Sequence, residues 1–126
     1  MASKYELKVE KILRLNHYKY KKEVTISGLY GYKTNPLRFD FEVYSPVKCL
    51  IEVDGEYHFK PIRGVLAFQR QKAYDERKNN YCLGHNIKLI RIPYWEIENL
   101  TIEKIFNTPD FVVTSMFHNY RLKPPY

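Results

Sequence analysis

Asp40, Glu52 and Asp54 are the residues whose types and spacing could do chemistry together. They lie in two short runs, Phe39–Tyr44 and Cys49–Asp54, where apolar and polar residues alternate on either side of Ser45-Pro46, a pair that reads as a turn. Side chains two residues apart along a strand share a face. On the first run Phe39, Phe41 and Val43 are therefore expected on one face, with Arg38, Asp40 and Glu42 on the other. On the second, Cys49, Ile51 and Val53 point one way, and Leu50, Glu52 and Asp54 the other. Closed as a hairpin, the runs bring Asp40, Glu52 and Asp54 together at the edge of one sheet face. Clustered carboxylates repel one another and are costly to hold together. A hard, oxygen-seeking divalent cation is the simplest way to offset that cost.

Other residues carry two readings each. Asp40, flanked by Phe39 and Phe41, is unfavourable in a strand by propensity, so it either ligates a metal or faces solvent on an open sheet face. Asp54-Gly55 is also a turn signal. His58 titrates near neutrality and could act as a general acid or base, or be an ordinary residue at a strand end. Asp75 reads as an acid at a helix start, favoured by the helix dipole. Lys78, one turn on, reads as part of a solvated helix face. Glu6, three residues after Ser3, completes a capping box, and Glu10 lies one turn later.

The elements that must position these side chains follow from periodicity. Tyr5, Val9, Ile12, Leu13 and Asn16 make a helical stripe that ends near Asn16-His17. Val24 and Ile26 alternate with polar residues in a first strand closed by Gly28 and Gly31, and the hairpin follows. Residues 59–72 read as a basic loop anchored by Phe68, and Asp75 to Leu83 as a helix stopped at Gly84-His85-Asn86. Ile87–Ile92 is nearly continuous in apolar residues, as expected of an inner strand, and Glu96–Phe106 reads as a last helix. The expected class is α/β (α+β): helix, three antiparallel strands, helix, strand, helix, around a mixed central sheet. Residues 1–106 form one domain, and 107–126 an aromatic, proline-containing tail.

Composition bears on the partner. Basic residues outnumber acidic ones 21 to 14, a formal +7, which favours a polyanion through phosphate contacts and counterion release. Lys8, Lys11, Arg14, Lys19, Lys21 and Lys22 crowd the first fifth of the chain, while the middle is acidic. Tyr18, Tyr20, Tyr30 and Tyr32, interleaved with Lys19, Lys21, Lys22 and Lys33, read as mixed strand formers and stacking residues for nucleic acid. Lys60, Arg63 and Arg70 are further phosphate candidates. Cys49 and Cys82 lack metal or redox spacing and are expected as reduced core residues. With no leader-like or membrane-length apolar run, a cytoplasmic compartment, bacterial or phage-infected, is expected.

The ordered set Asp40, Glu52-x-Asp54-Gly55-x-x-His58, Asp75, Lys78 and Arg91, in the strings IEVDGEYH and YDERKNNYCLGHNIKLIRIPYWEIENL, resembles the PD-(D/E)xK nuclease superfamily. It is most similar to the branch of very-short-patch-repair-like nucleases and phage EDxHD homing endonucleases. The likeness covers roughly residues 3–100, and departs at Asp54, where an acid-x-Lys pattern would place Lys. It implies a restriction-endonuclease-like core and an endodeoxyribonuclease dependent on Mg²⁺, with Mn²⁺ able to substitute. Asp40, Glu52 and the Val53 carbonyl would hold the metal. His58 or Asp54 would position or deprotonate water, Asp75 would partner His58 or bind a second metal, and Lys78 would replace the missing Lys. Glu6 would point into the site from the first helix. The expected reaction is nicking or structure-specific cleavage of DNA, at a mismatch or junction, and a homodimer would permit cleavage of both strands. The rivals are a nucleic-acid-binding protein that keeps the fold without chemistry, and a protein acting on RNA.

Overall fold

The computed structural model describes residues 3–31, 35–107 and the backbone of 113–115. Helix α1 (Lys4–Leu15) begins at the capping box: the Ser3 hydroxyl accepts from the Glu6 N–H at 3.1 Å, and the Glu6 carboxylate accepts from the Ser3 N–H at 3.5 Å. It ends as expected, with Asn16 as cap and His17 in the left-handed region (φ 62°). Strands β1 (Lys19–Tyr30), β2 (Pro36–Ser45) and β3 (Cys49–Asp54) are antiparallel in sequence order. Helix α2 (Val65–Gly84) then crosses over so that β4 (Leu89–Pro93) runs parallel to β3. After helix α3 (Ile102–Phe106), three residues of the tail form β5 (Val113–Ser115), parallel to β4. The mixed sheet thus has the order β1-β2-β3-β4-β5, and the class is α/β.

Two apolar clusters sandwich the sheet. On one face Val9 and Leu13 of α1 and Ile105 of α3 pack on Phe41, Val43, Ile51, Val53, Ile90 and Ile92. On the other, Cys82 of α2 packs with Leu37, Phe39, Leu50 and Leu89. β3 and β4 are buried along their whole length, which is what a central parallel pair covered on both faces requires. Both cysteines are buried and reduced.

Several expected boundaries shift. Helix α2 starts ten residues before Asp75, so Phe68, Arg70 and Lys72 lie on a helix and not in a loop. Its first turns expose Val65 and Leu66, so no apolar stripe marks them. Gly64 (φ 99°) makes the sharp entry that a residue with a Cβ would strain. The last helix is shorter than Glu96–Phe106: a single 3-10 turn spans Tyr94–Glu96, and Thr101 caps a new start at Ile102. The first strand begins earlier, at Lys19. Strict alternation also fails in β2. Phe41 and Val43 face α1, but Phe39 faces α2 beside Leu50, because regular β2–β3 pairing stops at Phe41 and Ile51.

Phe41, 1% exposed, sits where α1 meets the sheet. Phe41→Ala should destabilise the fold by about 3–5 kcal/mol, read as a lowered denaturant midpoint. Leu66→Ala, at an exposed position, should leave the midpoint within error.

Candidate active site

Beyond Phe41 the hairpin strands are joined by side chains in place of regular pairing. The Asp40 N–H donates to Glu52 Oε1 at 2.9 Å, and the Val53 N–H donates to Asp40 Oδ2 at 2.6 Å. Each carboxylate therefore satisfies a backbone donor of the opposite strand. The same two interactions hold Asp40 against Glu52, as the hairpin reading expected. Asp40 Oδ1 accepts no hydrogen bond from the described residues. Glu52, 3% exposed, gives its other oxygen to Lys78 Nζ at 2.8 Å.

Lys78 belongs to a polar stripe on α2. Asp75, Lys78, Asn79 and Cys82 are the buried residues of that helix, spaced so that one face meets the sheet. This overturns two expectations: Asp75 sits in the middle of the helix, away from the dipole's end, and Lys78 is not on a solvated face. Both are drawn inward by charges on β3 and β4.

Asp54 leaves the group expected for it. In place of joining Asp40 and Glu52 it turns to Arg91, whose Nη1 donates to Asp54 Oδ1 at 2.8 Å. Arg91 is wholly buried, and donates from Nε to Asn79 Oδ1 at 2.8 Å and from Nη2 to the Asp75 carbonyl at 3.2 Å. The 3-10 turn Glu56–His58 swings His58 back so that its Nδ1 lies 2.8 Å from Asp75 Oδ2 and 3.5 Å from Asp54 Oδ1. Gln71 donates to the remaining Asp75 oxygen at 3.0 Å. Asp54, His58 and Asp75 offer ligand atoms within 4.8 Å of one another, a buried group that could hold a metal ion.

The electrostatics differ between the two groups. Burial, then the charge of Glu52, pushes the Asp40 carboxyl up to about 9. Burial also pushes Asp54 up, to about 6, with Arg91 and His58 holding it back. His58 is raised from its ordinary value: burial alone would lower it, but its hydrogen bond to Asp75 and the charge of Asp54 outweigh burial. Asp75 is lowered, since Arg91 and His58 together outweigh its burial. His58 and Asp75 therefore move in the opposite directions expected of an ion pair.

The remaining candidates divide. Glu6 caps α1, and its charge is felt at Asp40, with which it lines a shallow crevice alongside Glu10 and Lys22. Lys22 pairs with Glu10 at 3.3 Å, while Lys19 and Lys21 are exposed. Tyr18 stacks on Phe106, and Tyr20 packs edge-on against Phe41 with its hydroxyl on Glu10, so these two face inward and not toward a polymer. Tyr30 is exposed. Lys33 and Tyr32 lie outside the described residues. Lys60, Arg63 and Arg70 line a cleft with Tyr57, next to His58. Sequence reasoning assigned no role to Gln71, Asn79 or Tyr57, and none to Arg91 beyond its place in the motif. A charged residue inside the apolar run Leu89–Pro93 was the available signal.

Among the described residues no helix is long and apolar enough to cross a membrane. No family model matches the chain, and no solved structure matches it. The chain is similar to an uncharacterized protein, 307L, of Invertebrate iridescent virus 6, at 33% identity over 67 residues. That match covers 49% of this chain and 34% of the viral protein, so the chain spans about a third of that relative's length.

The raised Asp40 has a consequence for stability. Its ordinary value is 3.8, so above about pH 4 the unfolded chain releases a proton that the metal-free folded state keeps until about pH 9. Stability therefore falls as pH rises through that window. Asp40→Asn mimics the protonated form. Without metal it should raise the melting temperature by several degrees at pH 8, with the gain vanishing below pH 4. An equal gain at both pH values would show that Asp40 does not carry this proton.

Proposed function

We propose that this protein is a metal-dependent DNA endonuclease with a restriction-endonuclease-like core. The reading rests on one observation: the Asp40–Glu52 pair, with Lys78 upon it, lies next to a buried His58–Asp75 pair where β3 and β4 end. The helix–three strands–helix–strand–helix order is compatible with that core. So is the agreement of Asp40, Glu52, His58, Asp75 and Lys78 with the motif order of PD-(D/E)xK nucleases.

The donor set fits a hard divalent cation, Mg²⁺ or Mn²⁺. It is all oxygen, it includes an Asp40 oxygen with no partner among the described residues, and burial together with the charge of Glu52 favours a proton on Asp40 that a cation would replace. Asp40 and Glu52 would hold the ion, with the Val53 carbonyl as a further donor. When bound, such an ion polarises a phosphoryl oxygen and acidifies a water. Lys78 steadies Glu52 and brings a positive charge toward the phosphate. Asp75 engages His58 Nδ1, which leaves Nε2 as the atom that takes or gives a proton. Asp54 and Arg91 hold His58 and Asp75 in place. The net +7 supplies attraction to the DNA backbone.

A nucleic-acid-binding protein without chemistry is the rival, favoured by Lys78 already neutralising Glu52. Plasmid nicking with Mg²⁺ and with a chelator separates the two. Asp40→Asn and Glu52→Gln should each lower cleavage on the order of a hundredfold or more, while DNA binding persists. A fully active Asp40→Asn protein would sink the reading.

His58→Ala should slow cleavage at pH 7 by ~10²–10⁴ while thermal stabilisation by Mn²⁺ is kept. If that stabilisation disappears together with activity, and Asp75→Asn reproduces both losses, His58 is a metal ligand in place of a proton carrier.

A further inference from the structure

Beside the carboxylates lies a second feature that the proposed chemistry does not use. The 3-10 turn before His58 and the first turns of α2 enclose a cleft of ≈ 160 Å³, lined by Tyr57, Arg63, Ala67, Phe68, Arg70 and Gln71 among others. An apolar cavity of about 150 Å³ accepts one benzene-sized ring. The cleft therefore suits a single aromatic ring, and not a base pair held flat in a stack.

Its walls combine ring faces with cations. The Arg63 guanidinium lies 4.7 Å from the centre of the Tyr57 ring, and Lys60 and Arg70 also line the cleft. Aromatic faces with surrounding cations match a unit that carries both a flat base and flanking phosphates. The cleft also touches the reaction machinery at two points. Gln71, on its wall, holds the Asp75 oxygen opposite the one on His58. Tyr57 adjoins His58, with ring centres 4.9 Å apart.

We propose that this cleft receives the base of one nucleotide lifted out of the DNA stack, which directs the protein to unpaired nucleotides in preference to matched duplex. The proposal rests on the reading of the protein as a DNA endonuclease and names the feature of DNA that it selects. Removing a base from the stack costs least where it is already unpaired. Bulged or mismatched DNA therefore gains the stacking contact at a smaller cost than duplex does.

The test withholds metal with a chelator, so that binding is read apart from cleavage. Affinity of the full chain for a duplex with one extrahelical 2-aminopurine is compared with affinity for the same label in a matched duplex. The bulged DNA should bind on the order of tenfold tighter, with its fluorescence quenched by stacking. Tyr57→Ala should remove most of that advantage and leave matched-duplex affinity unchanged. Ala67→Trp, at an exposed position, fills the cleft without disturbing the core. It should abolish the preference at an unchanged melting temperature, which guards against a Tyr57→Ala protein that fails to fold. Equal affinity for the two DNAs, or an undiminished preference in Ala67→Trp, overturns the proposal. Nicking with Mg²⁺ reports separately: a bulge preference without any cleavage supports the cleft and overturns the endonuclease reading.

Discussion

The architecture turns on one buried cation. Arg91 is 0% exposed, and an arginine cannot shed its proton to ease burial. Taking such a charge out of water costs several kcal/mol unless geometry and hydrogen bonds offset it. The offset includes the carboxylate of Asp54 on β3, the side chain of Asn79 on α2, and the carbonyl of Asp75 one turn earlier. Arg91 itself belongs to β4. Satisfying one guanidinium therefore fixes the crossover helix against both strands that it connects. Asp75 and Lys78 face the sheet because the helix has been set in this rotation. His58 takes its place because Asp75 is already there to meet it.

A second constraint acts at the hairpin. Strands that part early leave backbone donors without partners, and buried donors without partners are costly. Asp40 and Glu52 repair this by bonding across to each other's strands. The repair brings two carboxylates together in a site of low polarity, and the raised Asp40 is the consequence. Local backbone satisfaction and an acidic pocket are thus one arrangement. A neutral amide at residue 40 could accept the Val53 N–H equally well, so the charge itself adds nothing to the fold.

Much of this was legible in the chain because it depends on short-range pattern. The capping box at Ser3 and Glu6, the hairpin about Ser45-Pro46, and the inner strand at Leu89–Pro93 each carry a local signature. The start of α2 was hidden for a physical reason. Its first turns leave Val65 and Leu66 exposed, so no apolar stripe marks them. Where the helix later meets the sheet its stripe is Asp75, Lys78 and Asn79, whose burial apolar periodicity does not announce. Only pairing with Glu52, Asp54 and Arg91 makes these residues interior, and such pairing is not local. The same cause split the expected trio: Asp54 shares a strand face with Glu52, yet it follows Arg91, a choice that alternation cannot reveal. Phe39 misled because alternation presumes unbroken pairing on both sides of the strand, and the β2–β3 ladder ends at Phe41 while pairing with β1 continues.

The two carboxylate groups are balanced by different cations, and this divides their capacities. Asp54 and Asp75 answer to an arginine, which is permanently charged and held on several sides, by Asp54, Asn79 and the Asp75 carbonyl among others. Those two carboxylates also meet His58, at 2.8 Å from Asp75 and 3.5 Å from Asp54. Asp40 and Glu52 answer to a lysine, a point charge on a flexible stem, and to a proton. Under the endonuclease reading both would give way to a divalent ion and a phosphate. Under the endonuclease reading this also accounts for the acid at residue 54. In an acid-x-Lys pattern the lysine stands two residues along the strand from the acid. Here Lys78 reaches Glu52 from the facing helix at 2.8 Å, and residue 54 is released to anchor Arg91 and, through it, the histidine.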